Sequence, residues 1–203
     1  MNYPPKPFTE VNETDLYHLM AQYPLATILS ADPNTALNNT CQIPMLFDET
    51  CSHFICHVTA NNPLTLQISK SVKLLFNGPN AYLSPNHCNN ETLPSWLYAT
   101  VEVEGILELI TEPQAQLAAM NTLTDHFERG FDTPWQVADL DDQLVNAMFK
   151  HIRFLRIKPL QCTGVFKLSQ NKPSHIRQQV IKSLMTEGQD SVAELMRTHS
   201  KQR

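Results

Sequence analysis

The alternation of apolar and polar residues predicts a chain built mainly of short β-strands. Runs with a two-residue period place successive side chains on opposite faces of a sheet. They occur at residues 25–30, 41–47, 52–59, 72–77, 81–84, 96–104, 106–110, 152–157 and 163–168. Pro44 marks the second run as an edge or bulged strand. Gly78-Pro79 and Gly105 predict a break and a sharp bend at two later points.

Helical periodicity appears between and after these strands. It predicts helices near residues 13–22, 62–69, 111–128, 141–151, 174–186 and 190–198. Asn12 is the expected N-cap of the first helix, and Thr111 and Gln114 suggest a capping box for the third. The third helix is expected to bury a stripe formed by Leu117, Met120, Leu123 and Phe127.

Short strands joined by short connections predict an α+β protein with an antiparallel barrel, peripheral helices and a C-terminal helical segment. The composition predicts a turn at residues 31–34 and a polar loop at residues 85–94. With 203 residues and 42% hydrophobic content, the chain is long enough for one substantial core. We expect one domain at residues 1–170, with residues 171–203 packed on it as a helical extension.

Composition excludes several classes of protein. The longest apolar runs are too short to cross a bilayer and the start lacks the order of a signal peptide, which predicts a cytoplasmic protein. None of the five glycines forms a phosphate-binding glycine motif, and no G-x-S-x-G elbow occurs. Five cysteines without a C-x-x-C pair favour reduced thiols, mostly buried, and no metal site.

Charge is unevenly distributed along the chain. Residues 1–162 hold 8 basic against 17 acidic side chains, whereas residues 163–203 hold 7 against 3. The basic end is a possible DNA contact, and a solvated helical face is the simpler interpretation. If DNA binds there, the expected phosphate contacts are Lys167, Lys172, Arg177 and Lys182.

Four segments carry a resemblance to a known family. They are G-P-N-A-Y-L-S-P at 78–85, L-P-S-W-L-Y at 93–98, P-W-Q-V at 134–137 and F-K-L-S-Q-N at 166–171. In this order and spacing the chain resembles the flavin-binding split-barrel family of negative transcriptional regulators, the PaiB-like proteins. The resemblance runs nearly from end to end, beginning with residues 3–8 and 23–27.

The resemblance implies a split barrel of the pyridoxamine-phosphate-oxidase type. It also implies a homodimer with FMN sites at the subunit interface and a regulatory role in transcription. No catalytic residue and no metal ligand is assigned. The cofactor-binding residues that it implies are His57, Asn62, Ser84, Trp96, Tyr98, Lys167, Ser169, Gln170 and Asn171.

The chain departs from the family pattern in ways that bear on FMN. Ala60 stands where the family has an arginine, and alanine cannot donate to a phosphate. Asn86, His87 and Cys88 follow Ser84-Pro85 in place of serine, tryptophan and tyrosine, and Leu97 replaces a frequent asparagine. We therefore expect FMN binding to be weakened or lost.

Other interpretations stay open at this point. Residues 167–171 can form a turn whose side chains bond their own backbone. His57 can be a half-buried structural residue, and the roles of His87 and Cys88 are undetermined. Besides the regulator, two other functions are considered: a flavin-dependent oxidoreductase acting on a small molecule, and a barrel that binds another ligand or partner.

Overall fold

The structure is a computed structural model that describes residues 4–30, 41–88 and 92–201. Its strands form one antiparallel sheet in the order β3-β2-β6-β7-β8-β5-β4, and β1 pairs with β8. The strands are β1 (Thr9–Glu10), β2 (Leu25–Ser30), β3 (Cys41–Pro44), β4 (Leu46–Asp48), β5 (His53–Thr59), β6 (Ser71–Leu83), β7 (Ser95–Ile110) and β8 (Ile152–Lys167). The predicted α+β class with an antiparallel sheet is confirmed.

Five α-helices accompany the sheet in the described part of the chain. They are α1 (Glu13–Gln22), α2 (Pro113–Glu128), α3 (Asp142–Phe149), α4 (Ser174–Thr186) and α5 (Asp190–Lys201). The helix predicted at 62–69 is a short 3₁₀ helix, Pro63–Gln67. Among the described residues, no helix is both long enough and apolar enough to cross a membrane.

The three longest strands correct the sequence prediction, which divided each of them in two. β6 runs through Gly78-Pro79, β7 runs through Gly105, and β8 joins the runs predicted at 152–157 and 163–168. A Cβ on Gly78 would lie 2.8 Å from Leu19 Cδ1. The glycine therefore permits a close approach to helix α1 and does not end the strand.

The run predicted at 41–47 is divided at Met45 into two strands, β3 and β4. Met45 is buried, and its backbone N–H donates to the Pro24 carbonyl at 2.9 Å. Pro44 ends β3, which is the terminal strand of the sheet order, so the predicted edge position is confirmed. The turn predicted at 31–34 lies outside the described residues.

The chain divides into two compact units. The first unit takes its described residues from Met1–Gln22, Asn77–Val101 and Thr163–Arg203, and the second takes them from Tyr23–Phe76 and Glu102–Cys162. The domain boundary expected at residue 170 stays a prediction.

The first unit contains α1, α4 and α5, each of which buries one face. Asn12 Oδ1 accepts from the Asp15 backbone N–H at 3.2 Å, which confirms the predicted cap of α1. Arg177 Nη2 on α4 donates to the Met196 carbonyl on α5 at 3.1 Å. The buried positions of the three helices are Leu16, Leu19 and Met20, then Ile176, Val180 and Leu184, then Val192, Ala193 and Met196.

The second unit contains a core between β5, β7, β8 and α2. Its fully buried members are Ile55, Ile110, Ala119, Leu123 and Phe154. Phe149 at the end of α3 packs edge-on against Phe154, with ring centroids 4.7 Å apart. The sheet side chains therefore meet α2 through one narrow face of the helix.

Helix α2 differs from its prediction at both its start and its buried face. Its N-cap is Glu112, with no side-chain hydrogen bond, so the capping box predicted from Thr111 and Gln114 is wrong. Of the predicted stripe only Leu123 is fully buried, while Leu117 and Phe127 are 42% and 39% exposed. The helix docks through Ala119 and Leu123 instead, one turn apart on the same face.

Gly105 provides a test of the close packing inside the second unit. An added Cβ would lie 2.6 Å from the Lys158 carbonyl oxygen and 2.6 Å from Ile157 Cγ2. Because the oxygen belongs to the backbone of β8 and cannot move aside, we expect Gly105→Ala to lower the free energy of unfolding by about 1–3 kcal/mol. Urea denaturation followed by circular dichroism measures this change.

The matched control is Gly130→Ala, because a Cβ at Gly130 has no atom within 4 Å and that glycine lies outside regular structure. We expect no destabilisation at Gly130. Equal effects of the two substitutions would contradict the close approach at Gly105.

Candidate functional site

A cleft of about 420 Å³ in the first unit gathers several of the predicted residues. Trp96 enters it from β7 and Lys167 from the end of β8. Ser169, Asn171 and Lys172 line it from the turn that follows β8. We call this the lysine cleft. Its formation brings Trp96 to residues 167–171, as the sequence predicted.

The turn after β8 is held by its own hydrogen bonds. Gln170 Oε1 accepts from the Leu168 backbone N–H at 2.8 Å, and Gln170 Nε2 donates to the Phe166 carbonyl. Ser169 is 7% exposed and has a φ of 57°, an uncommon conformation for a residue other than glycine. Its carbonyl accepts from the Lys172 backbone N–H at 2.9 Å. Gln170 therefore supports the turn, and its amide is already bonded.

Trp96 presents a partly exposed indole to the lysine cleft. The indole Nε1 donates to Asn80 Oδ1 at 3.0 Å, and the ring lies 6.0 Å from that of Tyr82 at an angle of 54°. These contacts fix the ring orientation while about half of the side chain stays accessible. A flat ligand can therefore pack against it.

The donor set of the lysine cleft fits a flavin mononucleotide. Lys167 and Lys172 are cations, and Ser169 and Asn171 carry hydrogen-bond donors, which together suit a phosphate or ribityl chain. Trp96 suits the flat ring system. The volume falls within the range of about 300–1,000 Å³ typical of small-molecule sites. A bound flavin would supply redox chemistry through its ring.

Three other predicted residues have local structural partners or lie elsewhere. Asn62 Oδ1 accepts from the Leu64 backbone N–H at 2.9 Å and caps the 3₁₀ helix. Ser84 Oγ accepts from the Asn86 backbone N–H at 3.2 Å. Tyr98 is half-buried on β7 and is not among the described residues lining the lysine cleft. Their assignment to a cofactor stays a prediction.

His57 lies in the second unit, in an apolar cleft of about 460 Å³ that also contains Trp135. We call this the Trp135 cleft. The imidazole of His57 packs at 6.0 Å from the Phe154 ring, and desolvation beside that ring lowers the pKa of His57 below its usual value although the residue stays solvent-exposed. His57 and the lysine-cleft residues are thus distributed over two clefts, one in each unit.

The segment predicted as a polar loop at 85–94 begins with a 3₁₀ helix, Pro85–Cys88, and its residues 89–91 lie outside the described part of the chain. Both His87 and Cys88 are buried, and His87 Nε2 lies 2.9 Å from Glu187 Oε1 beyond α4. The histidine therefore ties this segment to the end of α4.

The cysteines are free, as the absence of paired motifs predicted. Cys56 and Cys88 are buried and Cys51 is exposed, so burial is less general than expected. Burial raises the pKa of Cys56 to about 12, which keeps that thiol protonated and unreactive near neutral pH.

Sequence reasoning missed part of the lysine cleft and one buried cluster. From the sequence, Lys172 is predicted only as a DNA contact, although it directly follows the K-L-S-Q-N segment and lines the lysine cleft. His199 Nε2 lies 3.5 Å from Glu10 Oε2, and His199 Nδ1 lies 3.9 Å from Asp15 Oδ2. No sequence signal links residue 199 to residues 10 and 15, because only the fold brings α5 to β1 and α1.

The fold and the lysine cleft define a split-barrel protein of the flavin-binding class. The chain belongs to the family described as "Putative FMN-binding domain", whose model matches residues 2–159. It is 24% identical over 201 residues to the protease synthase and sporulation protein PAI 2 of Bacillus subtilis, covering 96% of each chain. The predicted PaiB-like membership is confirmed.

Two solved structures share the fold. The FAD and heme binding protein of Mycobacterium smegmatis superposes with a TM-score of 0.63 at 14% identity, covering 84% of this chain and 78% of that one. The flavocytochrome Anf3 of Azotobacter vinelandii gives a TM-score of 0.58 at 8% identity, with 78% and 69% covered. These similarities confirm the split-barrel fold.

The lowered pKa of His57 gives a pH prediction. Since the folded state disfavours the protonated ring, the unfolded chain binds more protons at pH values between the folded pKa and the ordinary histidine pKa of 6.5. Stability should therefore fall as the pH drops from about 6.5 toward the folded pKa of His57, and this loss should level off below it. Urea denaturation at a series of pH values measures the slope.

His57→Gln should remove this part of the slope, whereas His175→Gln, an exposed histidine on α4, should leave it unchanged. An NMR titration of the His57 ring gives a direct check. A midpoint at or above 6.5 would contradict the assignment.

Proposed function

We propose that this protein binds FMN in the lysine cleft, with the phosphate on Lys167 and Lys172 and the ring against Trp96. The observation that carries the proposal is the juxtaposition of two cationic side chains with a positioned indole in one cleft. Membership of the FMN-binding family supports the choice of ligand.

Ala60 bears on the expected strength of FMN binding. The family resemblance implies an arginine at position 60, directly after β5, and here the residue is an alanine. Alanine removes a bidentate phosphate donor. Lys167 and Lys172 supply positive charge from a different segment, as point charges without the planar geometry of a guanidinium. We accordingly propose FMN binding that is weaker than in family members with the arginine.

An FMN titration followed by flavin fluorescence tests this function. A charge-assisted hydrogen bond contributes about 1.5–3 kcal/mol, so Lys167→Gln should raise the Kd for FMN roughly 10- to 100-fold. Lys172→Gln should act in the same direction. Lys158→Gln is the matched control, because Lys158 is an exposed lysine on the same strand and does not line the cleft.

Two results would contradict parts of the proposal. Absence of FMN binding in the wild-type protein would exclude the cofactor. A large gain in affinity for Ala60→Arg, with no loss for Lys167→Gln, would place the phosphate at the end of β5 instead.

Oxidation of reduced nicotinamide by the FMN-loaded protein would favour the oxidoreductase alternative.

We further propose a regulatory role in transcription, exerted by a homodimer that contacts DNA. The family resemblance and the basic composition of residues 163–203 support this role. Of the predicted DNA contacts, Lys182 is exposed on α4, whereas Arg177 is half-buried and donates to the Met196 carbonyl. With Lys167 and Lys172 assigned to FMN, DNA contact would therefore rely on Lys182.

Electrophoretic mobility of a DNA fragment from upstream of its own gene tests this role. We expect a shift at low salt that weakens steeply as salt rises, because phosphate contacts release counterions. Lys182→Gln should weaken the shift, and Lys158→Gln should not. No shift at low salt, with a chromatographic mass of one chain, would argue against the role.

A further inference from the structure

Two sequence features that the FMN proposal does not use come together in the second unit. His57 lies on β5, and Trp135 lies in the P-W-Q-V segment after α2. Both line the Trp135 cleft, together with the C-terminal half of α2. The fold thus brings a histidine and a tryptophan 78 positions apart in the sequence to one concave surface.

Flat and apolar side chains form most of the walls of this cleft. Pro24, Pro44, Met120, Leu123, Phe127 and Trp135 are among its lining residues. Three large apolar side chains of the cleft stay accessible: Leu25 at 50%, Phe127 at 39% and Trp135 at 41%. Concentrated apolar exposure in a concave surface is typical of a ligand-binding site.

Trp135 is held in position although its side chain is partly exposed. Its backbone N–H donates to Glu128 Oε2 at the end of α2, at 3.0 Å. The next residue, Gln136, forms a reciprocal capping box with Asp139, and Val137 is buried. The backbone that carries the indole is therefore already ordered before a ligand binds.

His57 provides a polar group within the apolar walls. Its ring packs beside Phe154, and desolvation there lowers the pKa of His57. The imidazole is therefore neutral near pH 7, with one nitrogen as a donor and the other as an acceptor. It can bond to an uncharged hydroxyl or N–H group.

The charges of the cleft exclude a phosphate-bearing ligand. Among the described residues that line it there is no lysine or arginine, and the one acidic side chain is Glu128. The Glu128 carboxylate already accepts from the Trp135 backbone. An anionic ligand would therefore lack a counter-charge, and its desolvation would be costly.

We infer that the Trp135 cleft is a second ligand site, which binds an uncharged, flat aromatic molecule bearing one hydrogen-bonding group. The ring packs between Trp135 and Phe127, and the polar group bonds to His57. This inference does not depend on FMN binding in the lysine cleft, since the two clefts are lined by different residues.

Calorimetric titration with 2-naphthol at pH 7 tests the site, because this probe is a neutral bicyclic ring with one hydroxyl. We expect saturable binding of one molecule per chain. Trp135→Ala should weaken it by about tenfold or more, and Trp135→Phe, which keeps an aromatic ring, should weaken it far less. His57→Ala should weaken it roughly fivefold, the value of a neutral hydrogen bond.

The chain offers a matched control because it contains two tryptophans, one in each cleft. Trp96→Ala should leave 2-naphthol binding unchanged, and Trp135→Ala should leave FMN binding unchanged. Saturating FMN should not displace 2-naphthol. Failure of FMN to bind would end the proposed cofactor function and leave this inference standing.

Several results would overturn the inference. They are absence of saturable 2-naphthol binding, an equal loss in Trp96→Ala and Trp135→Ala, and displacement of 2-naphthol by FMN, which would make the cleft part of the flavin site. A change of chromatographic mass in Trp135→Phe without a change in 2-naphthol affinity would identify the surface as an interface between chains. Circular dichroism of each variant shows whether the fold is retained.

Discussion

The backbone pairing of β8 is the constraint on which both clefts depend. Near its end it pairs with β1, where Val165 lies opposite Thr9, and nearer its start it pairs with β5 from Ile152 to Ile157. Because side chains alternate along a paired strand, this register fixes which residues face each way. It places Lys167 at the start of the turn in one unit and Phe154 beside His57 in the other.

Each cleft contains a tryptophan, but the charged and polar groups beside the two tryptophans differ. The lysine cleft combines Trp96 with Lys167 and Lys172, so it favours a ligand with a negative end. The Trp135 cleft combines its tryptophan with a neutral histidine and a carboxylate already bonded to backbone. Aromatic surface provides affinity for any flat ring, and the charges beside it decide which rings are accepted.

The sequence predicted correctly those elements that depend on adjacent residues. The predictions were wrong where segments distant in the sequence determine the structure. Asn12 caps α1 and the stripe of α4 is buried, because capping and helical period depend on a few adjacent residues. Gly78 and Gly105 read as interruptions, yet both lie within continuous strands where another segment approaches closely. No local pattern reports such an approach, so the strands were predicted too short.

The candidate site shows the same division between local and tertiary signals. Residues 167–171 and Trp96 were predicted through the family resemblance, and the structure places Lys167, Ser169, Asn171 and Trp96 in one cleft. Gln170 illustrates the competing interpretation, since its amide bonds the backbone of Phe166 and Leu168 just before it in the chain. Which polar side chains of a turn are available for a ligand depends on hydrogen bonds that the sequence does not specify.

The apolar side chains that α2 leaves exposed link the difference between its predicted and observed burial to function. A helix stripe that includes Phe127 was expected to be buried, and full burial of a phenylalanine is worth about 1.5–3 kcal/mol relative to exposure. The fold forgoes part of that stabilisation, since Phe127 is 39% exposed in the Trp135 cleft. A ligand that covers Phe127 and Trp135 would recover the burial only when bound. The apolar residue at this position then contributes to binding free energy more than to the free energy of folding.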